Sequence, residues 1–395
     1  MAFAEYLDRV LALAAPLPVE RVPLIDAVGL VLAEDVTVPR DLPGFDNASM
    51  DGYAVRADDV SSVPTTLRVT DDIAAGSLAH SAVAPGCAAR IMTGAPMPPG
   101  ADAVIRIEWT DGGEAMVRID RTVPLGNDIR CAGEDLTAGA VAVRRGTEIT
   151  VRGVALLASC DREQVLAYRR PRVTVISTGD ELVVAGNPVG AGQVVDSNGP
   201  LLVAAARSVG AVVQHIGPVA DEVPAFSEAL DAAVASSDLV ITSGGVSMGA
   251  YDTVKAVLSE RGGVAFAKVA MNPGMPQGCG AVAGTPIITL PGNPVSTYVS
   301  FEAFVRPALR SMMGHTDRVR PTRSAIIEAD LQSPEHKRQF ARGILRGEEQ
   351  LRVAPVRGQG SHMLSGLADA NCLIVLPEGI AFVSAGDVVE VIDLR

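Results

Sequence analysis

Residues 172 to 315 constrain this chain most, because short apolar runs there alternate with helical patterns and three of the runs end in unusual loops. The runs lie at 173–177, 211–216, 239–242 and 286–290. Between them, residues 198–207 begin with the cap signals Asn198 and Pro200, and residues 224–235 carry Phe226, Leu230 and Val234 on one face. A long helix is expected over 295–313. Strands alternating with helices in this way predict βαβ units around a parallel sheet. In such a sheet, ligands sit beyond the carboxyl ends of the strands, where loops meet helix N-termini. The three loops are Ser177-Thr178-Gly179-Asp180-Glu181, Ser243-Gly244-Gly245-Val246-Ser247-Met248-Gly249 and Pro291-Gly292-Asn293-Pro294-Val295-Ser296. Glycine lets backbone N–H groups approach an anion, and a helix N-terminus adds a favourable dipole. One such loop reads as an ordinary turn; three on one sheet edge predict a phosphate-type site.

The flanks have a different texture. Phe3, Leu7, Val10, Leu11 and Ala14 form one apolar helical face that stops before Pro16. From about 40 to 150, short strands (103–107, 115–119 and 140–143 among them) sit between Gly and Pro, a mainly β pattern. After about 320 the chain returns to strands, at 325–329, 343–345, 351–354, 372–376 and 388–392, which predicts a small barrel or sandwich. The expected fold class is therefore α/β plus β, with two to four domains in 395 residues at roughly 100–200 residues each.

Charge excludes some partners. The net charge of −13 repels phosphate backbones and anionic lipid, so neither nucleic acid nor a membrane surface is expected as a partner. The longest uncharged stretch, Val269 to Phe301, is 33 residues, but five prolines and five glycines break any spanning helix. The opening MAFAEYLDRV is charged too early for a signal peptide. Cys87, Cys131, Cys160, Cys279 and Cys372 are odd in number and scattered, which fits neither a disulfide framework nor a zinc site. A soluble cytoplasmic protein is expected.

Acids recur beside the glycine loops: Asp180, Glu181, Asp221 and Asp252. Carboxylates in an anion pocket are costly unless they hold a metal ion, ribose hydroxyls or a proton in transit. For Asp221 and Glu222, helix capping ahead of Pro224 is the competing explanation. Two turn-rich clusters in the β block, residues 45–54 around Asp51 and 90–96 around Thr93 and Gly94, join a third at 129–135 that holds Arg130, Glu134 and Asp135. Spacing alone assigns none of them a role. The five histidines, at 80, 215, 315, 336 and 362, show no metal-ligand spacing. Nucleophile-elbow, P-loop and Gly-x-Gly-x-x-Gly patterns are absent, which disfavours acyl hydrolases, P-loop ATPases and dinucleotide oxidoreductases.

Taken in order, six segments resemble the molybdopterin molybdenumtransferase family, the bacterial MoeA proteins and the E domain of gephyrin: 43–54, 90–96, 130–135, 177–182, 243–249 with Asp252, and 290–296. The resemblance covers essentially the whole chain. It implies four domains: a helical and linker domain from 1–40 and 137–170, an inserted β-rich domain at 41–136, a MogA-like α/β domain at 171–317 and a C-terminal β-barrel at 318–395. It further implies a homodimer whose site lies between the α/β domain of one subunit and the inserted domain of the other. The implied reaction takes adenylylated molybdopterin and molybdate, with a divalent cation such as Mg²⁺, releases AMP and leaves molybdenum on the dithiolene. A molybdopterin adenylyltransferase and acceptor molybdoenzymes are the implied protein partners.

On that resemblance, Asp51, Thr93, Asp135, Glu181 and Asp252 are expected to be catalytic. Ser177, Thr178, Gly179 and Asp180, then Ser243, Gly244, Gly245, Ser247 and Gly249, then Pro291, Gly292, Asn293, Pro294 and Ser296, with Lys268, are expected to hold the ligand. Asp221, Glu181 and Asp252 are the expected metal ligands. One stretch departs from the family pattern: where relatives often read Lys-x-x-x-Lys-Pro-Gly-Lys-Pro, this chain keeps Lys268 but has Asn272 and Met275 in place of lysines. Loss of two charges beside a polyanion shifts work to arginine, Arg130 being a candidate, or to metal. A non-enzymatic scaffold, a diverged paralogue, an adenylyltransferase and a nucleotide pyrophosphatase are the alternatives.

Overall fold

The computed structural model describes residues 1–245 and 253–395. Its centre is a six-stranded sheet in the spatial order Val212–Val219, Arg172–Thr178, Leu239–Ser243, Thr285–Leu290, Pro276–Val282, Val264–Lys268. Four neighbours pair in parallel, whereas Pro276–Val282 is antiparallel to both strands beside it. The sheet is thus mixed and not wholly parallel. The reversed strand falls inside the uncharged, Pro- and Gly-rich stretch, and it turns back through 283–284, where both residues have positive φ, the primed geometry of a tight hairpin.

Helices Asn198–Ser208, Val223–Ser236 and Thr253–Arg261 flank this sheet. The closing helix is not uniform: Pro294–Ser300 and Arg306–Met312 are α-helical, but Phe301–Val305 is a wider π turn. Pro307 explains the break, because its ring has no N–H to give the carbonyl four residues back.

Helix Phe3–Leu13 ties this region to the C-terminal strands. Phe3 stacks against Phe304 (5.2 Å) and Phe340 (5.4 Å), and Tyr6 meets Phe304 edge-on at 4.8 Å. Tyr6 is fully buried and Leu11 only half-buried, so the buried face is rotated from the one that the aliphatic spacing predicts. Arginine 342, also fully buried, donates to the carbonyls of Gly358, Gly360 and Met363 and so pins a loop against the C-terminal sheet. That sheet contains Thr322–Ile327, Arg338–Arg346, Arg352–Pro355, Cys372–Leu376 and Val388–Asp393, closed by the additional pairing of Arg338–Arg346 with Cys372–Leu376.

Residues near both ends of the first 170 pair with one another: Val19–Pro23 with Gln164–Tyr168, and Val36–Thr37 with Val141–Val143. The segment between them makes its own five-stranded sheet, in which Gly52–Val55 lies between Cys87–Ile91 and Ala103–Arg106. Among the described residues no helix is long and apolar enough to cross a membrane.

Candidate active site

The carboxyl ends of three adjacent parallel strands bring the predicted loops together. Ser177 is in register with Ser243, and Ser243 with Leu290. The loops touch closely. A Cβ on Gly244 (φ +97°) would lie 2.9 Å from the Thr178 carbonyl oxygen, and one on Gly292 would lie 3.7 Å from the Gly244 Cα, so the backbones approach as only glycine at 244 allows. Gly244 N–H donates to the Leu290 carbonyl (3.2 Å). Lys268 ends a strand that runs in the same direction, two residues past the row of Thr289, Gly278 and Phe266. It therefore reaches the same edge, four strand spacings or about 19 Å from the first loop.

The walls are hydroxyl-rich. Ser177, Thr178, Ser243 and Ser296 are buried, and the Oγ atoms of Thr178, Thr242 and Ser243 have no hydrogen-bond partner. Buried hydroxyls left unpaired are unfavourable in a folded chain, and a ligand or a water can supply the missing partner. Pro291 and Asn293 lend their carbonyls to the Thr297 hydroxyl (2.6 and 3.0 Å), which fixes the third loop ahead of helix Pro294–Ser300.

The acids are arranged unequally. Asp180 Oδ1 accepts the Asp221 N–H (2.9 Å), and the Asp221 carbonyl accepts from the Thr253 hydroxyl (2.7 Å), so these two acids share one corner of the edge. Glu222 holds the N-cap position of helix Val223–Ser236 without a side-chain capping bond. Glu181 folds back over its own loop, since a Cβ on Gly179 would lie 2.7 Å from its carboxylate. Ser247, Gly249 and Asp252 lie outside the described residues.

In the inserted sheet, Asp51 precedes strand Gly52–Val55 and Thr93 follows its partner Cys87–Ile91, which brings them to the same end. Asp51 Oδ1 accepts both the Thr93 N–H (2.7 Å) and the Thr93 hydroxyl (2.8 Å), and these bonds hold its carboxyl below the usual carboxylate range. Asp135 is exposed, and its N–H donates to the Leu42 carbonyl; no hydrogen bond links it to Asp51 or Thr93. Its neighbour Glu134 builds the turn by accepting the Cys131 N–H. Arg130 pairs with Asn47 in a two-residue ladder.

Three family profiles match in chain order: the MoeA N-terminal region (domain I and II) over residues 1–160, a probable molybdopterin binding domain over 174–311, and the MoeA C-terminal region (domain IV) over 324–394. The chain belongs to the MoeA family of molybdopterin molybdenumtransferases. It is 48% identical over 383 residues to molybdopterin molybdenumtransferase 2 of Mycobacterium tuberculosis, covering 94% of each chain. It is 38% identical over 380 residues to the molybdopterin molybdenumtransferase of Haemophilus influenzae, covering 95% of this chain and 94% of that one. The crystal structure of a molybdopterin biosynthesis MoeA protein from Pyrococcus horikoshii superposes with a TM-score of 0.84 at 31% identity, over 100% of this chain and 99% of that one.

Within this MoeA chain, several residues of the edge carry no sequence signal. His215 Nε2 lies 2.9 Å from Ser177 Oγ and 3.6 Å from Asp196 Oδ2, a buried carboxylate oxygen without a hydrogen-bond partner. Asp196 Oδ1 accepts the Gly199 N–H at the start of helix Asn198–Ser208, and Asn198 donates to the Gly292 carbonyl (2.7 Å). Ser361, from beyond the C-terminal strands at 338–355, accepts from Asn293 Nδ2 (3.1 Å), and its carbonyl accepts the Val295 N–H. A polar cluster at 196–198 where a helix begins is the one cue, and it points to Asp196 and Asn198; His215 and Ser361 have none. Asn272, at one of the missing lysines, donates to Gln339 Oε1 (2.5 Å), so in this chain the position joins the α/β region to the C-terminal sheet.

Proposed function

We propose that this chain inserts molybdenum from molybdate into adenylylated molybdopterin and releases AMP. The observation that carries the reading is the set of unpartnered buried hydroxyls, Thr178 and Ser243 foremost, on three converging glycine loops of a MoeA-family chain. Backbone N–H groups and these hydroxyls hold phosphate oxygens without adding charge. Lys268, at the far end of the same edge, meets the other end of a long ligand. Asn293 and Ser296, with Pro291, Gly292 and Pro294, shape the wall between.

Asp51 stays ionised at neutral pH, which makes it an acceptor: it orients a water or a cation and does not deliver a proton. Thr93 gives its only hydroxyl proton to Asp51, so it can donate to an oxyanion only by releasing that bond; its role is to position Asp51. Among the described residues no three acids converge into a ready metal site, so in this reading Mg²⁺ takes its oxygens from Asp221, Glu181 and Asp252 together with the ligand's own phosphate oxygens. When bound, the ion neutralises charge at the phosphate that is cleaved.

The site is completed by the Asp51 end of a second copy in a homodimer, within the four-domain division described from the sequence. The protein works in the cytoplasm, beside the adenylyltransferase that makes its substrate and the enzymes that accept its product. Incubation with adenylylated molybdopterin, Mg²⁺ and molybdate, following AMP and molybdenum cofactor, tests the function. Molybdate-dependent AMP release is the expected result; ligand binding with no AMP release at any molybdate concentration would indicate a scaffold instead.

A further inference from the structure

The central sheet has a second polar opening, at the amino ends of its first strands and so opposite the glycine loops. It is a cavity of about 310 Å³. Arg170 precedes strand Arg172–Thr178, and Arg207 ends the helix that leads into strand Val212–Val219. Arg306 and Arg310 project from helix Arg306–Met312, and Arg320 comes from the segment that enters the C-terminal sheet.

These guanidinium groups are poorly neutralised. Arg170 donates only to the Gly210 and Val28 carbonyls, and Arg207 only to the Val213 carbonyl. Arg306 is 16% exposed, yet its nearest carboxylate oxygen, Glu302 Oε2, is 3.9 Å away and already holds Arg320 Nε at 2.8 Å. Arg310 takes Asp317 (2.8 Å), with Glu148 at 3.8 Å. Five guanidinium groups thus face three carboxylates, an excess of two positive charges in a chain whose net charge is −13. The surroundings register that excess. Burial lowers the Arg306 guanidinium, with Arg320 adding to the effect, and burial with Arg310 beside it pushes the His315 imidazole below its usual range.

We propose that this cavity binds a dianionic phosphate group, free or carried on a small metabolite, at a site separate from the glycine-loop edge. Two charges match the excess, and guanidinium forks present paired N–H donors to tetrahedral oxyanions. Arg306 supplies unbonded donors from within, and Arg207 closes the site from the exposed rim.

Isothermal titration calorimetry of the full chain with sodium phosphate, at ionic strength held constant with sodium chloride, tests the proposal. The expected result is saturable phosphate binding that Arg306→Gln and Arg207→Gln each weaken by roughly tenfold. AMP release is unchanged in Arg306→Gln. Competition by glycerol 3-phosphate assigns an esterified phosphate; binding of inorganic phosphate without such competition assigns the free anion; either supports the site. Arg207→Gln removes a rim side chain and keeps the test valid if Arg306→Gln does not fold. Absence of phosphate binding above the chloride background overturns the proposal. Binding that neither variant changes overturns it too, since the phosphate then sits at the glycine loops.

Discussion

At the carboxyl edge of the central sheet the polar wall is made of buried hydroxyls beside glycine loops, with acids at one corner, whereas at the amino edge it is made of arginines. The first wall is built from dipoles, which leave the chain's net charge untouched. The second concentrates fixed charge, and a protein can keep buried guanidinium groups only by surrounding them with carbonyls and carboxylates. Asp238 shows how. It sits just ahead of strand Leu239–Ser243, binds Arg169 through both oxygens (2.6 and 2.7 Å) and accepts the Arg172 N–H (2.8 Å). Net charge therefore says little about where an acidic protein handles anions. An edge lined with dipoles has room for cations and acids brought by a ligand or a partner, while an arginine-lined edge fixes its selectivity on folding.

The contrast can be broken most sharply at Asp51. On the proposed role of Asp51 in orienting the reacting groups, Asp51→Ala should lower AMP release by at least about a hundredfold. Loss of the two Thr93 bonds should lower unfolding stability only slightly at neutral pH, because the carboxylate is exposed. If the edge is completed across a dimer, mixing Asp51→Ala with Glu181→Ala protein restores turnover that neither has alone. Failure of mixing, with each variant inactive, would place both acids in one subunit.

The amino edge should respond in stability and not in chemistry. Asp238→Ala leaves two arginines without their carboxylate and should cost about 2–3 kcal/mol in urea unfolding, with AMP release per folded molecule retained. Burial alone would raise the Asp238 carboxyl, but Arg169 and Arg172 hold it well below the usual range. The contribution is then fully present above the unfolded value of about 4 and is lost as pH falls through the folded one. The gap between wild type and Asp238→Ala should narrow in acid; a gap independent of pH would assign the loss to packing.

Ser243→Ala tests the dipole wall. Removing an unpartnered buried hydroxyl should leave stability equal or slightly higher, while ligand affinity falls by roughly fivefold. A variant that loses stability without losing affinity would show that the hydroxyl is structural. The smallest effect is expected from Asn272→Lys, which breaks the bond to Gln339 at a cost of about 1 kcal/mol and tests whether a family lysine improves binding beside Lys268.

The loops, their flanking strands and the −13 net charge were readable without coordinates, because strand and helix periodicity and glycine turns are local properties. The motifs also carried the family and, with it, the expectation that Asp51 and Thr93 serve one site; that they bond to each other was visible only in the fold. Other features leave no local pattern along the chain. The reversed strand Pro276–Val282 has prolines and glycines where a strand signal is sought, and Tyr6 displaced Leu11 from the buried face because its ring meets Phe304. His215 carried no spacing cue, since its partners Ser177 and Asp196 come from elsewhere in the chain and meet it only once the strands are in register.

The sequence by itself determined that three glycine loops end strands of one α/β unit and that the chain is a MoeA-family protein. The tertiary structure alone decided which hydroxyls are left unpaired at that edge, which end of the sheet collects the arginines, and that Asn272 faces Gln339 instead of the ligand edge. The reason is the strand order. It places the 212, 172, 239 and 285 strands side by side, so contacts across the edges depend on the register of distant segments and not on any pattern along the chain.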